Sequence, residues 1–170
     1  AILHKAPLKT ISFASDPRAG FVSVLVLILL LIGSVALGYD VVKRYVASVL
    51  FQQGVISFNI EGSIDKSEGL IARAAAMAPT DLYYRFLTEL SLMRMSTALR
   101  SDTTKVSAES VRTEFQNLLS AAILNARQAV SQNPRNYENH MTLGRVYEAV
   151  VPLKIEGSYE AALASYNEAL

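Results

Sequence analysis

The chain has 170 residues, 51% of them hydrophobic and 18% charged, with a formal net charge of +1; this length suits one domain beside one hydrophobic segment, and this charge provides no field to draw nucleic acid or a strongly acidic partner. With no cysteine, a disulfide framework, a thiolate metal site and a thiol nucleophile are all excluded. The two histidines, His4 and His140, stand 136 positions apart, which leaves no imidazole pair at a local metal-ligand spacing.

Residues 1–18 read as an N-terminal flank, with 11–18 as an exposed connector. Asp16-Pro17 is a plausible helix start, with Pro in the first turn. The chain opens on Ala1 and stops at Leu170 within a helical pattern, so it is expected to be a processed chain or a piece of a longer protein.

From Ala19 to Tyr39 run 21 residues without a charge, bounded by Arg18 and Asp40. As an α-helix this stretch is roughly 31 Å long, the thickness of a bilayer's hydrocarbon core. Residues 19–40 are therefore expected to form a transmembrane helix with membrane lipid around it. A cleaved signal peptide has a shorter apolar region of about 7–15 residues after a short basic start. Here the apolar run is longer and twenty residues precede Phe21, while 35–38 make a poor cleavage site. An uncleaved span is the better expectation. Lys5, Lys9 and Arg18 on the leading flank against Lys43 and Arg44 on the trailing one lean towards a cytoplasmic N-terminus and an extracytoplasmic remainder. Lys43 and Arg44 could meet lipid headgroups, although charges commonly mark the end of a span.

Beyond Tyr39 the spacing of Val42, Val46, Val49 and Leu50 remains helical. The membrane helix is thus predicted to run on into the remainder, 41–170, and to hold it rigidly at the bilayer. No strand pattern follows. Helices are predicted over 41–59, 63–77, 80–99, 107–132, 136–150 and 158–170. Thr80-Asp81 and Asn136 serve as caps, and Pro79 and Pro134 lie just outside helices.

Internal repetition is visible in the last third. Leu143-Gly144 and Tyr147 are followed by Gly157, Tyr159, Ala162, Tyr166 and Ala169, at spacings of 2, 3, 4 and 3. This unit resembles the tetratricopeptide repeat. The resemblance implies two antiparallel helices in close contact, with Gly144 and Ala162 small so that they can approach and Tyr147, Tyr159 and Tyr166 filling the gaps around them. Ten residues separate Tyr147 from Gly157, where the motif has four; the extra segment 150–155 lengthens the turn, and Pro152 is expected to end or kink the first helix. Backwards, Ala122, Ala126 and Ala129 with Asn133-Pro134, then Ala74 with Pro79, continue the register. Pro79 and Pro134 are 55 residues apart, against a period of about 34. An insertion is therefore expected near 96–113, where Ser, Thr and charges cluster. The fold class implied is all-α: one transmembrane helix continuing into a tetratricopeptide-like hairpin solenoid of about two and a half repeats. A plain helical bundle is the alternative.

A nucleotide-binding glycine loop and a zinc-protease helix motif are both absent, and no cofactor is expected. Glu156, Glu160 and Glu168 fall on the face away from the Ala/Tyr seam and read as solvated, and His140 as a packing residue. Tyr83-Tyr84 with Arg85 could be a recognition patch, although aromatics at helix starts more often pack inward. The resemblance implies a groove lined by the first helix of each hairpin. Its positions fall on Gln52 and Asn59, then Tyr83, Phe86 and Arg94, then Glu138, Met141, Arg145 and Glu148. Such a mixture suits another protein or peptide, a second copy of the chain included.

The function expected is a membrane-anchored interaction scaffold without catalysis of its own. A second expectation comes from the order of features: a basic loop at 9–13, an apolar span, Ala-Pro79 and Asn-Pro134. That order resembles the C-terminal region of bacterial O-antigen ligase or polymerase-like membrane proteins, and would make the chain a non-catalytic part of a membrane glycosyltransferase of the bacterial envelope. A third is a self-assembling subunit of a membrane or filament complex.

Overall fold

The computed structural model describes residues 17–100 and 107–170; expectations about 1–16, with His4, Lys5 and Lys9, and about 101–106 lie outside the described residues. Among those described there are six α-helices, one 3₁₀ turn and no strand. The helices are α1 (Pro17–Asn59), α2 (Ile64–Met77), α3 (Asp81–Leu99), α4 (Ala108–Gln132), α5 (Tyr137–Glu148) and α6 (Ser158–Asn167). The chain divides into two compact units, 1–42 and 43–170.

The first unit holds the apolar part of α1. Its side chains are exposed on every face, from Phe21 at 71% to Leu30 at 63% and Leu37 at 72%. An 18-residue window of α1 has a mean hydropathy of 2.8, and none of it is buried. By length and composition this helix can cross a membrane. No break occurs at Tyr39.

In the second unit, local signals set the helix limits. Thr80 Oγ1 accepts a hydrogen bond from the Tyr83 amide, Ser107 Oγ from Ser110 at 3.1 Å, and Asn136 Oδ1 from Glu138 at 3.2 Å. Each side chain satisfies one of the amides that a helix N-terminus leaves open. Gly62 (φ 64°) turns the chain between α1 and α2, and Gly157 (φ 77°) opens α6. Both sit in the left-handed region that glycine enters without steric cost. Pro152 lies in a 3₁₀ turn, Val151–Leu153, three residues beyond the end of α5.

Consecutive helices pack on one another from α2 to α6, and α5 also touches α3. Ala47, Ile71, Ala74, Tyr83, Leu87 and Leu90 form one core; Met95, Phe115, Ala122, Ala126, Val146 and Val150 form a second. The buried alanines recur at 122, 126 and 129, one face of α4. They let the neighbouring helices come close.

In the stretch 96–113, where an insertion is expected, 96–99 belong to α3 and 108–113 to α4, within the helices predicted over 80–99 and 107–132, while Arg100 lies in a turn and Ser107 caps α4. The reason is twofold. Ser96 and Thr97 return their hydroxyls to the Met93 carbonyl at 2.8 and 3.0 Å, so these polar side chains are satisfied inside the helix. Ala98 within the stretch is buried, and so are Met95 and Phe115 on either side of it. The extra residues thus lengthen α3 and α4 to 19 and 25 residues, against 12 and 10 in α5 and α6.

Candidate interaction surface

The surface is built on α3, α5 and α6. Asn136 caps α5 and turns its amide to Asp81 Oδ2 at 2.8 Å, at the start of α3. Asn139, fully buried, donates to the carbonyls of Ala129 (3.0 Å) and Asn133 (2.8 Å) and to Asp81 Oδ2 (3.2 Å). All three partners are acceptors, so the amide nitrogen must face them. One side chain thereby closes the end of α4 and ties α5 to α3. Burial alone would raise the Asp81 pKa; the bonds from Asn136 and Asn139, the Leu82 amide and the Arg85 charge outweigh it, and the pKa falls below its ordinary value.

With its start held in this way, α5 runs beside α3 in the same direction. Arg85 pairs with Glu138 and Glu89 with Arg145, so residue number rises along both helices from one pair to the next. Between these pairs lies a cleft of about 290 Å³ lined by Arg85, Tyr137, Glu138, Met141, Thr142 and Arg145. Tyr137 and Met141 also line a larger, mostly apolar groove of about 540 Å³ with Glu148, Tyr166, Ala169 and Leu170. A third groove, about 260 Å³, lies beyond Glu148 and Tyr166 among Val151, Tyr159, Ala162 and Leu163. Tyr166 packs its ring against Gly144, where a Cβ would come within 2.4 Å of Cε1. Its hydroxyl donates to Glu148 Oε2. Burial, then the hydrogen bond and charge of Glu148, push the Tyr166 pKa up to about 12, with Arg145 opposing.

The sequence-derived groove positions divide into three sets. Glu138, Met141, Arg145 and Glu148 stand together on the outer side of α5, and Met141 is 41% exposed. Gln52 and Asn59 are exposed on α1, and Arg94 is committed to Asp65 and Glu68 of α2. Tyr83 and Phe86 pack against aromatic rings of α1. Tyr83 is only 8% exposed and stacks on Phe51 with ring centroids 4.8 Å apart. Phe86 meets Phe51 and Phe58 edge-on at 5.7 and 5.9 Å. These four rings pack together because α3 touches neighbours on several sides and has little free face.

Among the packing positions, Gly144 and Ala162 are buried, Tyr147 accepts a hydrogen bond from Arg127 at 2.8 Å, and Ala169 is partly covered. Tyr159, expected to fill the gap between the helices, stands 62% exposed at the rim of the groove it lines with Val151. His140 Nε2 lies 2.8 Å from the Pro134 carbonyl, and Glu156, Glu160 and Glu168 are exposed.

Sequence reasoning missed Tyr137, the residue shared by the cleft and the larger groove. Its signal was the spacing 137, 141, 145 and 148, one stripe of a helix, which the cap at Asn136 obscured. Among the described residues no cluster of His, Asp or Glu could hold a metal ion. No protein-family model matches the chain, and no curated protein is similar to it in sequence.

Proposed function

We propose that this chain is a membrane-anchored interaction module of tetratricopeptide-like helix hairpins, holding a partner segment along α5. The observation that carries this reading is the run of clefts along one helix, with Tyr137 (61% exposed) and Met141 (41% exposed) at its centre. Exposed aromatic and thioether side chains give contact area and adaptable packing. The parallel course of α3 and α5, with α4 returning between them, is the arrangement stacked hairpins require. The close approach of Gly144 and Tyr166 supports the same reading.

Anchoring is supported by the apolar part of α1. A long apolar helix in the core of a soluble protein is covered by its neighbours; here none of the most apolar window is buried. Lipid is the environment that satisfies such a surface on all faces.

The test is a photo-crosslinking amino acid placed at Met141 in the full chain, in its native membrane, with the exposed Arg73 of α2 as the control site. A discrete heavier species from position 141, absent from position 73, is expected. Identical patterns from both positions would contradict the assignment of the surface.

A further inference from the structure

The carboxylates around the α3–α5–α6 surface are not equivalent. Glu138 and Glu89 are neutralised by Arg85 and Arg145, and Asp65 and Glu68 share Arg94. Glu148 is exposed and is held by the Tyr166 hydroxyl alone; among the described residues no lysine or arginine forms an ion pair with it. It stands where the two more apolar grooves meet, since both are lined by Glu148 and Tyr166. On one side lie Tyr137, Met141 and Leu170, on the other Val151, Tyr159 and Leu163.

We infer that the segment docking on this surface carries a lysine or arginine flanked on both sides by apolar side chains, the cation meeting Glu148 and the apolar groups entering the two grooves. This rests on the interaction-module reading and adds the chemistry of the partner. Charge complementarity selects the cation: an acidic residue at this point would face an unneutralised carboxylate, and the neighbouring arginines are already engaged. The grooves supply the apolar contact that an exposed ion pair alone does not.

Three fluorescein-labelled helical peptides would be titrated against the detergent-solubilised full chain by anisotropy. Each has a leucine four residues before and after a central position that is lysine, norleucine or glutamate. The lysine peptide is expected to bind about fivefold more tightly than the norleucine one, the range of an exposed ion pair, and the glutamate peptide more weakly than both. Glu148→Gln keeps an acceptor for the Tyr166 hydroxyl and removes the charge, so it should erase the preference for lysine. Tyr166→Phe keeps the charge and should retain that preference, which separates loss of charge from loss of local structure. Equal binding of all three peptides, or a lysine preference that survives Glu148→Gln, overturns the inference and leaves the interaction reading standing. No binding by any peptide to a folded chain overturns both. Self-association through this surface that the lysine peptide does not displace overturns the inference in favour of a second copy as occupant.

Discussion

Single side chains decide how closely these helices approach. At Gly144 an added methyl would meet the Tyr166 ring at 2.4 Å, whereas at Gly69 on α2 it would meet nothing within 4 Å. Glycine within a helix costs about 0.5–1 kcal/mol relative to alanine. Gly69→Ala is therefore expected to stabilise the chain by that amount, while Gly144→Ala gains the same propensity but overpacks, for a net loss of about 1–2 kcal/mol. Urea unfolding of both variants checks the opposite signs. Asn139 acts through hydrogen bonds instead. Asn139→Ala removes the side-chain donor shared by the Ala129 and Asn133 carbonyls and Asp81, while each carbonyl keeps one backbone amide, and should cost about 1–2 kcal/mol; Asn139→Asp should cost more, because a carboxylate would face those two carbonyls and Asp81. Two titrations bound the pH range. The Asp81 pKa is depressed in the folded state, so its contribution is present above the ordinary aspartate value of about 4 and is lost as pH falls through the folded value. The Tyr166 pKa is raised, so its contribution is full below the ordinary tyrosine value of about 10 and is lost as pH rises towards 12. Stability measured against pH should show both limbs, with Asp81→Asn reducing the acid one and Tyr166→Phe the alkaline one.

The helix limits are what a reader of the sequence could find. Pro79, Thr80, Ser107, Pro134 and Asn136 each state a boundary through local chemistry, and local chemistry is written in adjacent residues. The direction in which α3 presents its side chains is not local. Tyr83, Leu87, Leu90 and Met95 are all buried, and so are Thr88 and Ser91, whose hydroxyls bond to carbonyls one turn back. A helix with neighbours on several sides has no clean polar stripe, so Tyr83 and Phe86 read as surface residues until the packing is seen. On α5, by contrast, Glu138, Met141, Arg145 and Glu148 are all exposed, and that side of the helix keeps the period the sequence displays. At this scale the α3–α5 register depends on pairs of opposite sense, Arg85 with Glu138 and Glu89 with Arg145. Arg145→Glu should destabilise by about 0.5–1 kcal/mol, the range for partly exposed pairs, and Glu89→Arg in the same chain should recover most of it. A double-mutant cycle in urea with no recovery would mean that the pair does not set the register.

At the scale of the whole molecule, the two units treat their apolar side chains in opposite ways. Residues 21–42 carry apolar side chains outward on all faces, whereas helices beyond 42 bury theirs in two cores among the described residues. The absence of native cysteine makes this division measurable with single introduced thiols. Leu25→Cys, Leu30→Cys, Val35→Cys and Gln52→Cys would be made one at a time in the full chain, reconstituted in lipid vesicles and exposed to a charged, water-soluble maleimide. Positions 25, 30 and 35 are predicted to stay unlabelled until detergent and denaturant are added, while position 52 labels at once in vesicles that present it outward. Labelling of position 30 in intact vesicles at the rate of position 52 would contradict the bilayer-spanning assignment of α1, and the membrane anchoring with it.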